Sequence, residues 1–359
     1  MTPPATPIRR EGHIVITGGA GFLGTNIAAA LAERGEDILI FDNLSRLHVR
    51  ENVSWIQQHH AARISLRVGD VRDSDAVADA VRGARAVIHL AAQVAVTTSV
   101  DDPVGDFEVN ARGTLNVLEA VRRHTAQAPL LFASTNKVYG KLLPIEALER
   151  EGLRYVPRDP QQAQGFDERT PLAFCSPYGC SKGAADQYVL DYARIYALKT
   201  AVFRMSCLYG PHQFGNEDQG WVAHFVISAL RGQPILIYGD GYQVRDVLEV
   251  GDAVCAYLLA LDDIDAVSGA VFNLGGGAEN TLSLRELLAA IERMEGRAPN
   301  VSFHDWRPGD QPWYVSDTRA FTHATDWQPR VGVDAGLKRL RDWLLESSVA
   351  QQTRREAVA

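Results

Sequence analysis

Short runs rich in β-branched and other apolar residues, HIVIT from His13, DILIFD from Asp37, ISLRVGD from Ile64, RAVIHLAA from Arg85 and LLFAST from Leu130, recur along the chain with segments of helical period between them. That alternation leaves little choice of architecture. A run that is apolar at nearly every position needs cover on both faces, which arises when helices cross over between parallel strands. The predicted fold class is α/β, a doubly wound parallel sheet.

At 359 residues the chain exceeds one minimal domain, so two lobes are expected. The rhythm changes after about Leu198, where TAVFRMSCLYG, a helix over about 218–231 and the glycine- and aromatic-rich ILIYGDGYQVRDVLEV follow. We therefore predict a first, doubly wound domain over 13–200, with some later segments returning to it, and a smaller lobe over 201–345. Residues 1–12 and 346–359 are polar, without periodicity, and are expected to be flexible ends. The stretch Lys141–Leu172 shows no clear strand and is longer than most connections, so it reads as a lid or an insertion beside the site.

Charge and cysteine content narrow the function. With 36 Lys+Arg against 44 Asp+Glu the net charge is −8, which gives no support to nucleic-acid binding through bulk charge. The four cysteines, Cys175, Cys180, Cys207 and Cys255, show neither a C-x-x-C pair nor metal-ligand spacing with histidine, so no metal site is expected. No apolar stretch is long enough to span a bilayer, and the first residues lack the apolar core of a secretion signal, so a cytoplasmic protein without membrane contact is expected.

IVITGGAGFLG sets Gly18, Gly21 and Gly24, with Phe22 and Leu23, between a strand and an amphipathic helix that Gly35 can close. Such a turn brings backbone N–H groups and a helix N-terminus against a pyrophosphate. Asp42 ends the next strand, where a carboxylate accepts hydrogen bonds from the adenosine ribose and repels a 2′-phosphate. NAD is thus the expected cofactor over NADP, a preference that Arg46 tempers. Asp70 and Val71, in GDVRD after the third strand, are expected beside the adenine.

SPYGCSK holds Tyr178 and Lys182 four residues apart, on one helical face. Ser176 can cap that helix and Pro177 suits its first position. Lys182, the positive helix end and an oxidised nicotinamide would all favour the phenolate of Tyr178, which could take a proton from a sugar hydroxyl. Thr135, at the carboxyl end of the fifth strand beside Ser134, can bond the same oxygen. His89 lies in an apolar strand and is expected to be a hydrogen-bonded core residue.

TGGAGFLG, DNLS, GDVRD, VIHLAAQ, VNARGTLNVLEA, STNKVYG and SPYGCSK occur in this order, and from about His13 to Trp343 the chain resembles the extended short-chain dehydrogenase/reductase superfamily, the NAD-dependent epimerases and dehydratases. The resemblance implies a Rossmann domain, a catalytic set of Thr135, Tyr178 and Lys182, and a nucleoside-diphosphate sugar as substrate. It adds Asn43, Ser45, Leu90, Ala92, Gln93 and Asn110 to the cofactor positions. Arg245 and Arg307 are implied at the pyrophosphate, with Tyr238, Trp221 and Val222 at the nucleotide, and assembly as a homodimer or homotetramer.

Within the superfamily, 4,6-dehydratases place an Asp-Glu pair after the Thr, whereas this chain has Asn136 and Lys137. STNKVYG, the long 141–172 stretch, and Cys207 in RMSCLYG resemble 2-epimerases of CDP-linked deoxysugars. A 4-epimerase of a UDP-hexose or UDP-uronate, and a catalytically silent NAD-binding sensor, are the alternatives.

Overall fold

The computed structural model describes residues 12–347 apart from residues 47 and 308. Of the expected flexible ends, 1–12 and 346–359, residues 1–11 and 348–359 lie outside the described residues, while Glu346 closes a regular helix, Val333–Glu346. A seven-stranded sheet forms the larger body, in the spatial order Ala270–Leu274, Thr200–Met205, Leu130–Thr135, Ala84–His89, His13–Thr17, Ile38–Asp42, Ile64–Val68. All neighbours pair in parallel, as the alternation predicts.

Adjacent residues of one strand show why both faces are covered. Ile14 and Ile16 enter a core with the helices Phe22–Glu33 and Val250–Asp262. Val15, between them, enters the opposite core with the helices Ser74–Val81, Gly113–His124 and Pro177–Tyr196. The chain runs outward through its first three strands and then crosses to the other side of the first. The topological switch therefore lies between Thr17 and His89, where sheets of this kind bind ligands.

The smaller lobe has its own core beneath the helices Trp221–Leu230, Leu284–Glu295 and Val333–Glu346. Its mixed sheet centres on Val244–Glu249, which pairs with Thr281–Ser283, Trp313–Tyr314 and Cys207–Tyr209. The 141–172 stretch departs from its strandless expectation. It carries an antiparallel hairpin, Leu148–Glu151 with Arg154–Pro157, turning at Gly152, whose φ is +56°. Leu148 and Tyr155 of that hairpin share a core with Val244 and Trp313, so the segment is an insertion docked on the smaller lobe. Its strands are short and one face is charged, so they escape a search for apolar runs.

Candidate active site

The cofactor groove starts at Gly18. Its φ of +67° and the Ala91 nitrogen 2.7 Å from where a Cβ would stand leave room only for glycine. A Cβ on Gly24 would come within 2.7 Å of the Gly18 carbonyl oxygen, so the helix packs directly on the turn. Gly21 is the N-cap, no side chain caps the helix, and the first-turn N–H groups of Phe22 and Leu23 are left for a ligand. A shallow backbone cradle at a helix N-terminus suits a diphosphate and would be blocked by any larger residue.

Asp42 ends the strand Ile38–Asp42 beside the glycine turn, where the adenosine ribose is expected. Its carboxylate accepts N–H bonds from Ala20 at 3.1 Å and Leu44 at 2.8 Å, and burial pushes its pKa up. The four acceptor sites of a carboxylate exceed those two bonds, so ribose hydroxyls can still be met. Asn43 donates to Asp70, which Arg72 grips through two nitrogens and holds well below the usual carboxylate range. The helix-capping task beside it falls to Asp73. Val71 packs on Gly113, while Ser45 and Arg46 are exposed on the loop that follows Asp42.

On the other side of the switch, Leu90 and Ala92 follow the fourth strand. Gln93 and Asn110 are bound to each other. The Gln93 N–H donates to Asn110 Oδ1 at 2.9 Å, and Asn110 Nδ2 donates to the Gln93 carbonyl at 3.0 Å. Asn110 Nδ2 also reaches Asp106 and Ser181, and Gln93 Nε2 donates to Asp106 at 2.8 Å. Asn110 sits in a π-helical turn, Glu108–Arg112, and is 1% exposed, so its amide braces the groove wall from within. His89 is buried as expected, between the hydroxyls of Thr17 and Thr114, and burial lowers its pKa to about 3.

The helix Pro177–Tyr196 begins as its sequence predicts, with the Ser176 hydroxyl accepting the Gly179 N–H at 3.0 Å. That places Tyr178 in the first turn and Lys182 one turn on, both buried against the end of the strand Leu130–Thr135. The Thr135 hydroxyl lies beside the Tyr178 phenol and favours its anion, while it accepts the Lys137 N–H at 3.2 Å. Lys182 Nζ donates to the Ala133 carbonyl at 2.6 Å and lies 4.2 Å from the centre of the Phe132 ring.

One expectation needs correction here. Burial pushes the Tyr178 phenol up to about 12, against the pull of Thr135 and Arg46, while burial lowers Lys182 to about 7. The amine that was to pull the phenol down is turned to a carbonyl, and desolvation of both groups outweighs their proximity.

Both arginines expected at the pyrophosphate are paired. Arg245 Nη2 donates to Asp310 Oδ1 at 2.6 Å, and Arg307 donates to the Glu217 carbonyl and carboxylate at 3.1 and 3.0 Å. The Arg307 guanidinium lies over the Tyr238 ring at 3.9 Å, and the Tyr238 hydroxyl bonds Glu217. The Trp221 indole N–H is turned toward the Cys207 sulfur. Cys207 is half-buried. Val222 is 1% exposed in the lobe's core, so only its main chain, in the first helical turn, can face a ligand.

The model of the NAD dependent epimerase/dehydratase family matches residues 14–275. A CDP-paratose 2-epimerase of Salmonella typhi is 43% identical over 92% of this chain and 98% of its own. This chain belongs to the NAD-dependent epimerase/dehydratase family. Another relative, a putative UDP-glucose 4-epimerase of Methanocaldococcus jannaschii, is 30% identical over 92% of this chain and 98% of its own. Among solved structures, the UDP-glucose 4-epimerase of Thermus thermophilus in complex with NAD superposes with a TM-score of 0.77 at 35% identity, covering 92% of this chain and 98% of that one.

As in the family at large, the cofactor is NAD, and the glycine cradle and Asp42 fit it. Several residues at this family member's site escaped the sequence reading. Asp106 and Ser181 form, with Gln93 and Asn110, a buried polar network beneath Tyr178 and Lys182. Glu217 and Asp310 pair with the two arginines from distant loops. For Asp106 a signal existed, a lone acid in an otherwise apolar helical turn, whereas no spacing rule links Arg245 to Asp310.

Proposed function

We propose that this protein is an NAD-dependent nucleotide-sugar epimerase that inverts C2 of a CDP-linked deoxysugar, interconverting CDP-paratose and CDP-tyvelose. One observation carries the reading. Behind the neighbouring Thr135 and Tyr178 stand Asn136 and Lys137, so the cleft has a base for a carbinol but no carboxylate pair at that place to expel water. The 43% identity to the Salmonella typhi relative over nearly both chains supports the choice of carbon and nucleotide.

NAD, when bound, accepts hydride from the carbinol carbon and later returns it. Tyr178 Oη takes the proton of the C2 hydroxyl, and Thr135 Oγ1 holds that oxygen in line. Lys182 has three donors as an ammonium and gives one to Ala133, which leaves two for the bound cofactor or sugar. A 2-keto sugar would be planar at that carbon, so a cleft that lets the ring turn would permit inversion of the centre. Arg245 and Arg307 keep the diphosphate fixed during that turn. Their planar forks suit phosphate, which must first compete with Asp310, Glu217 and Asp218.

Incubation with CDP-, UDP-, GDP- and dTDP-linked sugars, followed by NMR of the products, tests the reading. Inversion at C2 of a CDP sugar is expected. Inversion at C4 with C2 unchanged favours the second reading, a 4-epimerase, which the 35% identity to the Thermus thermophilus structure supports. We also propose a homodimer. Large apolar side chains are exposed at Val100, Val104 and Phe107, on turns that pack against the Tyr178 helix, and at Tyr188, Ile195 and Tyr196 of that helix itself, and sedimentation equilibrium reads the state directly. All four cysteines are free, which supports a reducing, cytoplasmic location.

A further inference from the structure

We propose that Lys137 is a substrate-binding residue whose ammonium holds a hydroxyl of the sugar while Arg245 holds the diphosphate, with Asp310 as their shared counter-ion. The inference rests on the nucleotide-sugar reading above and extends it to a residue to which the mechanism gives no role.

Placement comes first. Lys137 lies on the 3₁₀ turn Asn136–Tyr139, directly after the strand that ends in Thr135, and its N–H donates to Thr135 Oγ1 at 3.2 Å. Thr135, beside Tyr178, therefore also fixes the start of the lysine side chain. From there the chain runs toward the smaller lobe, and Nζ comes to 3.8 Å from Asp310 Oδ1. The same oxygen accepts from Arg245 Nη2 at 2.6 Å and from the Gln311 N–H at 3.0 Å. The ammonium thus stands between the group facing the carbinol and the group facing the diphosphate. In a bound sugar nucleotide, that interval is occupied by the ring.

Charge and hydrogen bonding give the position a purpose. A separation of 3.8 Å is attraction without a hydrogen bond, so the donors of Lys137 are not consumed by Asp310. Burial lowers the amine's pKa, with Asp310 opposing the shift and Arg245 adding to it. Two cations face one carboxylate, and the lysine side chain keeps 25% of its surface. A largely desolvated cation with free donors gains most from a neutral oxygen ligand, and sugar hydroxyls are such ligands. A lysine serving only as counter-ion to Asp310 would close on it, as Arg245 does.

Isothermal titration of the NAD-loaded enzyme with CDP and CDP-glucose, and with UDP and UDP-glucose, separates the roles. Lys137→Met is expected to weaken the sugar nucleotide by about 10- to 100-fold while leaving the matching nucleoside diphosphate within about twofold. Arg245→Met is expected to weaken both. Equal losses for sugar nucleotide and diphosphate in the Lys137 variant would make it a diphosphate ligand and overturn the proposal, as would no loss for either. Lys137→Gln, of similar length and still polar toward Asp310, gives the same readout should the Met variant fail to fold. An unaltered enzyme that binds neither pair would overturn the sugar-nucleotide reading and this proposal together. Normal wild-type binding with an insensitive variant would overturn this proposal alone.

Discussion

Tyr178 is 8% exposed, and its phenol, pushed up to about 12, is protonated at neutral pH until a bound partner favours its anion. The Thr135 hydroxyl and the Arg46 charge already pull that way, and the positive ring of oxidised NAD adds to them. Tyr178→Phe removes the base and keeps the ring in place. Turnover should fall by at least about a thousandfold while NAD is retained, since general-base steps contribute up to about four orders of magnitude. Assay of product and of protein-bound nucleotide on one sample checks both halves, and an active variant would show the base to be misassigned. Tyr178, Lys182 and Ser176 were legible because their relation is local, a four-residue helical spacing and a cap. Lys137 and Asp310 were not, since their meeting depends on two lobes packing together, and the direction of the Tyr178 shift depends on burial that no spacing reveals.

The turn after His13–Thr17 shows how little freedom one element has. Gly18 needs a left-handed backbone and lies against Ala91, so Gly18→Ala brings both strain and a clash. A left-handed alanine costs about 1–2 kcal/mol before the overlap is counted. The variant should melt at lower temperature and bind NAD at least about tenfold more weakly, as read by calorimetry with added cofactor. An unchanged affinity would contradict the cradle. This element could be read in full from IVITGGAGFLG, because strand, glycine spacing and helix all lie within one stretch. The hairpin Leu148–Glu151 with Arg154–Pro157 could not. Arg154, bonded to Glu286 and Thr281, and Tyr155, packed near Val244 and Trp313, take their meaning from another lobe.

At the scale of the molecule, His212 lies on a turn that joins two helices. It packs 4.2 Å from the centre of the Trp55 ring in the helix Val49–His60 and 5.3 Å from that of Trp343 in Val333–Glu346. Burial lowers its pKa to about 4, below the unfolded value of about 6.5. Between those values the unfolded chain binds more protons, so the contribution of His212 is complete above about pH 6.5 and is lost as pH falls toward 4. His212→Asn should therefore flatten the decline of Tm over that window. Comparing variant with wild type removes the opposing effect of Asp246 and Glu249, whose pKa values burial raises. Identical slopes would contradict it. The proposed reaction joins both lobes, one to hold NAD and the other the diphosphate, around a carbon that must lose and regain its own hydrogen. CDP-paratose carrying deuterium at C2, incubated in ordinary water and followed by NMR, tests that claim most directly. CDP-tyvelose with the label still at C2 is the expected product. Label lost to solvent, or a changed configuration at any other carbon, would contradict it.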